Sequence, residues 1–363
     1  MISFRNHEKT NMSFGPGITI IWGENGSGKT SILEAIHSLS FGSSFRTNNK
    51  KELIKEGSDV FLLEGHFKNE EGLENTVFFS HDTKGNKKIK INKKEVKKRK
   101  DLLGLNSVVV FSPEEESITK GGPNNRRRFF DKVFSVVSRG YLEDLLDYNA
   151  TLQQRNAVLR RGSKKNINRE IEIWNGSFAE KAERLWKKRK GFLVDFSKVF
   201  KETVKKLEIG IECDIYYNQK KTNKDEIINV LEKNQETEKT LGFTTHGPHR
   251  DDFLFEWGGR AIRKHGSQGE HKMYLALLKT TELLFISKKT KKNPVFLIDD
   301  IFANLDIGRS KRLLRFVEEL RLQEKSKPQT IITTTDILEV QKEGFFSKYS
   351  EIEKQKLRAS ETP

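Results

Sequence analysis

Apolar residues in the first third of the chain come in short runs divided by turn residues: ITIIW at 18–22, VFLLEGHF at 60–67, TVFFS at 76–80 and SVVVF at 107–111. Runs this short, rich in β-branched and aromatic side chains, predict strands. The lysine-rich stretch KGNKKIKINKKEVKKRK at 84–100 alternates too, which predicts a hairpin with Ile89, Ile91 and Val96 inward and lysines outward. From Arg126 to about Leu207 the period changes. Segments such as FAEKAERLWKKRKGFLVDFSKVFKETVKKLE carry heptad-like apolar spacing without proline and predict helices. Strand signals return in FTTHGPHRDDFLFEW at 243–257. A helix then follows Gly269, with Tyr274, Leu277, Leu278, Leu284 and Phe285 on its apolar face. The rest alternates a strand in NPVFLIDD, a helix, and a strand in QTIITTTD. This pattern predicts an α/β protein with a sheet-rich lobe over 1–115, a helical lobe over 116–290, and a return to the first lobe over 291–363.

The run Gly23-Glu24-Asn25-Gly26-Ser27-Gly28-Lys29-Thr30 fits a phosphate-binding loop, and the apolar strand before it and helical SILEAIHSLS after it supply the required context. Glycines let the backbone curl around phosphates, Lys29 neutralises β and γ oxygens, and Thr30 offers a hydroxyl to magnesium. Ser31 completes the candidate nucleotide-binding run. The partner motif is Val295-Phe296-Leu297-Ile298-Asp299-Asp300, an apolar strand ending in two carboxylates. There Asp299 is expected to hold the metal, and Asp300 to orient or deprotonate the attacking water.

Between these motifs, Ser267-Gln268-Gly269-Glu270 has two compatible readings. It is a capping box for the helix that follows. It also stands where ABC ATPases carry a signature whose serine and free amides grip the γ-phosphate of the opposite subunit's nucleotide. Ala303-Asn304-Leu305-Asp306 then takes the place of a D-loop, with Asp306 as a further nucleotide contact, before a strand ending in Thr333-Thr334-Thr335-Asp336. This order is that of an ABC ATPase, with ATP acting as glue in a homodimer.

Charge extends the picture. With 67 basic and 51 acidic residues the formal net charge is +16, which attracts polyanions, although lysines also serve as plain solubilising surface. Candidate phosphate contacts are the runs at 84–100, Arg126–Arg128, 187–190 and 288–292. No aromatic platform for base reading stands out, so sequence-independent backbone binding to duplex or junction DNA is expected. One cysteine, Cys213, excludes an internal disulfide and any cysteine-based zinc site. The first residues are no signal peptide, and no apolar run approaches the roughly 18 residues of a membrane span. A cytoplasmic protein is expected. His246, His249, Asp251 and Asp252 can be read as metal ligands, or as a turn and strand start in which Arg250 pairs with the acids.

Phe4-Arg5-Asn6-His7 together with GITIIWGENGSGKTSILEAI resembles the head domains of SMC-type DNA-repair ATPases. Three stretches are similar to the RecF family in particular. They are Ser44-Phe45-Arg46-Thr47; Pro113-Glu114 through Gly121-Gly122-Pro123 to Arg126-Arg127-Arg128-Phe129-Phe130-Asp131; and Gly247-Pro248-His249-Arg250-Asp251-Asp252. Asn304, Thr119 and Phe130 depart from the family pattern, and the chain begins almost at Phe4, where the family has a complete first strand. The resemblance implies a P-loop, ABC/SMC-like head with a helical second lobe and no room for a long coiled coil. It also implies ATP and Mg2+ as cofactors, a weak DNA-stimulated ATPase, and an ATP-dependent homodimer on gapped DNA. RecO and RecR are the implied partners, for loading RecA. Different-class alternatives are the ATPase subunit of a membrane transporter and a structural DNA clamp that does not hydrolyse ATP.

Overall fold

The computed structural model describes residues 1–69, 71–96, 99–161, 167–218, 223–300, 329–335 and 352–356. The chain opens with β1 (Ile2–Phe4), β2 (His7–Lys9), β3 (Ile18–Trp22), α1 (Lys29–Phe41), β4 (Val60–Lys68), β5 (Glu74–Asp82), β6 (Lys87–Ile91), β7 (Lys94–Glu95) and β8 (Val108–Phe111). Next come α2 (Ser117–Lys120), α3 (Pro123–Val137), α4 (Arg139–Leu159), α5 (Ile167–Lys206), β9 (Cys213–Asn218), α6 (Lys224–Lys233), α7 (Gln235–Leu241), β10 (Asp252–Trp257), β11 (Arg260–Ala261) and α8 (Ile262–His265). The last elements are α9 (Gln268–Thr290), β12 (Val295–Ile298), β13 (Thr330–Thr334) and β14 (Ile352–Lys356). The chain divides into two units, one comprising Met1–Glu116, Thr203–Ile209 and Ser267–Pro363, the other Ser117–Glu202 and Gly210–Gly266.

In the first unit a five-stranded sheet runs β14-β3-β13-β12-β8, with parallel neighbours throughout. Parallel strands are covered on both faces, which is why ITIIW shows no polar alternation: Ile18, Ile20 and Ile21 are all buried. Register pairs Ile18 with Thr330 and Trp22 with Thr334, so the two ends of the sequence share one sheet. A second, antiparallel sheet runs β2-β1-β4-β5-β6-β7. Its inward side chains Phe4, Phe61, Leu63, Val77, Phe79 and Ile89 pack with Ala35 and Leu39 of α1 in one core. Phe61 meets Phe4 and Phe79 edge-on, with ring centroids 5.3 and 5.2 Å apart. The expected lysine hairpin is β6–β7, with Ile89 buried, Ile91 and Val96 half-buried, and Lys87, Lys88, Lys93 and Lys94 exposed.

The helix after Gly269 departs from the expected lobe boundary at 290. From Met273 to Ile286 α9 is buried, including Lys279, Thr280, Thr281 and Glu282. A helix covered all round is a core helix rather than an amphipathic surface one. Lys279 lies 3.0 Å from Glu115 and 2.5 Å from Glu282, so its charge is compensated inside. This helix therefore groups with the phosphate-loop sheet, and the division falls at Ser267.

The second unit is built on α3, α4 and α5, the last of 40 residues, with an antiparallel sheet β11-β10-β9. Phe130 centres its core, 4.2 Å from Phe253 and 5.3 Å from Phe196. Strand β9 was not anticipated, although Cys213, Ile215 and Tyr217 alternate with polar or exposed neighbours in CDIYYN. Conversely FTTHGPHR is a loop, and regular pairing begins only at Asp252. Polar groups at the end of this loop bond to side chains of the helices and to Tyr217 of β9 instead of forming a strand ladder. The Asp251 carboxylate accepts from Trp186 (2.8 Å), Arg189 (2.7 Å) and Tyr217, while Asp252 accepts from Arg126 at 2.9 and 3.0 Å. The expected pairing of Arg250 with these acids is thus replaced by Arg189 and Arg126, and the two carboxylates are committed to protein donors.

Candidate nucleotide-binding site

Strand β3 delivers the chain to the loop Gly23–Gly28, and α1 leaves it at Lys29. Gly28 sits at φ +92° with no room for a side chain, because a Cβ there would lie 2.3 Å from Nε2 of His7 and 2.8 Å from Oδ1 of Asn6. Those two residues brace the loop. Asn6 donates to the Gly26 carbonyl at 2.8 Å, and His7 Nε2 lies 3.1 Å from the Gly28 carbonyl. Burial lowers the His7 pKa, so the neutral ring carries its proton on Nε2 and accepts from Thr10 at Nδ1. Ser31 donates to Asn6 Oδ1 at 3.3 Å. Arg5, at φ 54°, turns the chain and reaches buried Glu34 of α1 through two bonds of 2.8 and 2.7 Å. Glu34 also accepts from Ser44 and lies 3.6 Å from Arg46. The sequence singled out these residues by family likeness, but their bracing of the phosphate loop was not legible there.

The Lys29 ammonium donates to the carbonyls of Gly23 and Glu24, each at 2.8 Å. These carbonyls hold the ammonium at the mouth of the loop, beside the cavity that the phosphates would enter. Burial lowers its pKa, and the Asp300 and Asp299 carboxylates oppose that shift. Thr30 donates to Asp299 at 2.9 and 3.1 Å, bringing together the two expected metal-holding groups from opposite ends of the chain. Both offer hard oxygen donors of the kind magnesium takes. Burial raises the Asp299 pKa, and hydrogen bonds from Thr333 and Thr30 oppose it. Lys29, Thr30, Asp299, Asp300, Asn25 and Arg46 line a cavity of about 700 Å³. Among the described residues the buried Ser27 hydroxyl has no hydrogen-bond partner, which suits a loop shaped around a ligand.

Thr333 of β13 is the residue that sequence reasoning missed. Its hydroxyl donates to Asp299 Oδ1 at 2.7 Å and accepts from the Asp300 amide at 3.0 Å, so one oxygen fixes both acids. Asp300 is held at φ 45°, a left-handed conformation that costs a non-glycine residue about 1–2 kcal/mol and needs such an anchor. Replacing Thr333 with Val keeps the shape and removes the hydroxyl. A hydrogen bond to a charged group contributes about 1.5–3 kcal/mol. The magnesium concentration for half-maximal ATP turnover should therefore rise roughly tenfold or more, with metal-free nucleotide affinity unchanged and Thr333→Ser restoring the wild-type value. An unaltered magnesium dependence in Thr333→Val would remove Thr333 from this role.

Ser267 and Glu270 form the expected capping box: Ser267 Oγ accepts from the Glu270 amide at 3.3 Å, and Glu270 accepts from the Ser267 amide at 2.7 Å. Ser267 and Gln268 are exposed, Gly269 and Glu270 half-buried, and none of the four lines the phosphate-loop cavity. Asp306, with Ala303 to Leu305, and Asp336 lie outside the described residues.

A glycine loop between strand and helix, with two carboxylates brought to its threonine by another strand of the same parallel sheet, defines a P-loop protein of the ABC/SMC head class. Residues 1–356 match the family described as RecF/RecN/SMC N terminal domain. The chain is 34% identical over 337 residues to "DNA replication and repair protein RecF" of Azobacteroides pseudotrichonymphae, covering 93% of this chain and 90% of that one. It is 32% identical over 352 residues to the protein of the same name in Staphylococcus aureus strain JH9, covering 92% and 91%. A solved structure described as "recombination mediator protein RecF-ATP in RecFOR pathway" superposes with a TM-score of 0.82 at 31% identity, covering 92% and 90%. The chain belongs to the RecF family.

Proposed function

We propose that this protein is an ATP-operated DNA-binding switch of replication, repair and recombination. The observation that carries the reading is the Thr30–Asp299–Thr333–Asp300 constellation facing one cavity with Lys29. Lys29 and the loop amides bind the triphosphate, and Thr30 and Asp299 would hold magnesium. Bound magnesium would supply charge neutralisation at the phosphate oxygens. Asp300 orients the attacking water and takes its proton, which favours a hydrolysing switch over a passive clamp. Ser267 caps α9 away from its own phosphate loop, an arrangement that suits service to the nucleotide of a second copy. ATP binding then joins two copies over DNA, and a slow, DNA-stimulated hydrolysis parts them.

The net charge of +16 supports a polyanion partner. The charged runs need sorting, however. Arg126 and Arg189 are buried in ion pairs, Arg127 donates to the Asp251 carbonyl, and Lys188 pairs with Asp144, so these serve the second unit's interior. The exposed β6–β7 lysines, Arg128, Lys187, Lys190 and the exposed lysines of 288–292 remain as candidate phosphate contacts. Family membership supports gapped or junction DNA as the substrate, RecO and RecR as partners, and RecA loading as the outcome. Among the described residues no helix is long and apolar enough to cross a membrane. A cytoplasmic site of action follows from the DNA partner.

The test is the mass in solution with and without ATP, repeated with gapped, duplex and single-stranded DNA. The mass should double with ATP. DNA affinity should fall by orders of magnitude between about 50 and 200 mM salt, as expected when several cations release condensed counterions. An ATP-independent mass, or a flat salt response, would overturn the switch or the DNA reading respectively.

A further inference from the structure

The loop between α7 and β10 is fixed far more firmly than a connection requires. Thr244 is bonded through its amide and hydroxyl to Asn156 (2.8 and 2.7 Å) and receives a bond from Arg155 (2.7 Å). Thr245 is tied to buried Glu238 at 2.6 and 2.8 Å. Gly247, at φ +140°, is pressed where a Cβ would lie 2.7 Å from the Tyr148 hydroxyl and 2.8 Å from Phe178. Arg189 holds the Pro248 carbonyl at 2.9 Å. His249, kept neutral by burial that pushes its pKa down to about 4, bridges the Tyr148 hydroxyl and the Thr244 carbonyl. Asp251 and Asp252 are clamped by Arg189 and Arg126.

Burying that many charges is a poor route to stability, since each desolvation costs several kcal/mol before pairing offsets it. Its effect here is to set one backbone conformation. That conformation turns Arg250 outward, while its amide bonds the Gly247 carbonyl at 2.8 Å. Its guanidinium carbon lies 5.0 Å from the ring centroid of exposed Phe243, a cation–π stack. A guanidinium held over an aromatic ring is already partly ordered and gives up less entropy when its N–H fork meets an anion. A second exposed arginine, Arg160, packs against the start of the same loop: its Cγ would lie 3.2 Å from a Cβ on Gly242, the chain neighbour of Phe243.

We propose that Arg250, held over the ring of Phe243, together with Arg160 at the start of the same loop, is a built contact for the phosphodiester backbone of nucleic acid. The proposal rests on the DNA-binding reading above and assigns it a place that no charged run pointed to. A backbone is favoured over an acidic peptide by the chain's excess of positive charge and by the pairing of arginine with an aromatic face, which suits sequence-independent strand tracking.

The experiment is a salt titration of binding to a fluorescent 40-base-pair duplex by the full chain, comparing wild type with Arg250→Ala, Arg160→Ala/Arg250→Ala, Arg250→Lys and Phe243→Leu. Each arginine removed should make the log–log slope shallower by about 0.9, and the double variant should bind on the order of tenfold more weakly at 100 mM salt. Arg250→Lys and Phe243→Leu should keep the slope while weakening binding severalfold, because charge survives and the fixed fork does not. All variants should match wild type in ATP affinity and thermal midpoint. Wild-type slope and affinity in the double variant would overturn this assignment alone, whatever an acidic peptide then bound there. A wild type that shows no salt-dependent duplex binding would instead bring down the DNA reading on which it rests.

Discussion

Lys29→Ala should abolish stable ATP binding while leaving the fold intact. The ammonium is almost fully buried, and both of its oxygen partners belong to the loop it closes, Gly23 and Glu24 at 2.8 Å. With nucleotide present the same donors turn to phosphate oxygens, as charge-assisted bonds of about 1.5–3 kcal/mol each. Two such bonds correspond to a loss of roughly a hundredfold to ten-thousandfold in affinity, which the loop amides cannot restore because they carry no full charge. Folding is little affected, since the loop stays braced by Asn6 and His7. A calorimetric titration finding wild-type ATP affinity in a folded Lys29→Ala protein would sink the phosphate-loop assignment.

On the proposed function, Asp300 and Ser267 belong to different steps of one cycle, so their variants should fail in opposite directions. Asp300→Asn keeps the side-chain shape, and Asn tolerates the left-handed backbone that position demands. Thr30 and Asp299 should still meet across the cavity, but Asp299 is committed to Thr30 and Thr333 and the second carboxylate that would take the water's proton is gone, an expected loss of about a hundredfold to ten-thousandfold in turnover. ATP-bound dimers accumulate. Ser267→Arg retains ATP in its own phosphate loop, yet fills the helix terminus that should receive the partner's γ-phosphate, and dimers do not form. Were Ser267 a helix cap alone, its loss would cost about 1 kcal/mol and dimerisation would survive at permissive temperature. Sedimentation of both variants with ATP separates the two readings: a Ser267→Arg protein dimerising as wild type does would refute service in trans.

The motifs legible in the sequence were those in which chemistry and spacing coincide along the chain. Gly23 to Thr30 and Val295 to Asp300 carry their own strand and helix context, and the helix at Ser267 announces its capping box. Lateral neighbours leave no such trace. Thr333 lay in a run of threonines that read as strand propensity, and its role depends on β13 lying beside β12 in one register. The basic runs misled for a related reason: positive charge along a segment does not say which side chains turn inward. In KKRK at 187–190 the helical period sends Arg189 into the core and leaves Lys187 and Lys190 outside. Arg250 was legible as a motif residue, but its expected pairing with Asp251 and Asp252 does not occur, because those acids are held by Arg189 of α5 and Arg126 of α3, far away in sequence.

The pairing of β3 with β13 also dictates an order of events during synthesis. The strand that launches the phosphate loop leaves the ribosome among the first residues, whereas its neighbour Thr330–Thr334 follows some three hundred residues later. Antiparallel neighbours β4, β5 and β6 are close in sequence and can pair at once, and the inserted second unit can close before the parallel sheet exists. Until β12 and β13 arrive, Asp299 and Thr333 are not beside Thr30. On the proposed function, a nascent chain would lack the assembled acid–threonine site until that late step, and competence to switch would come only with a complete sheet.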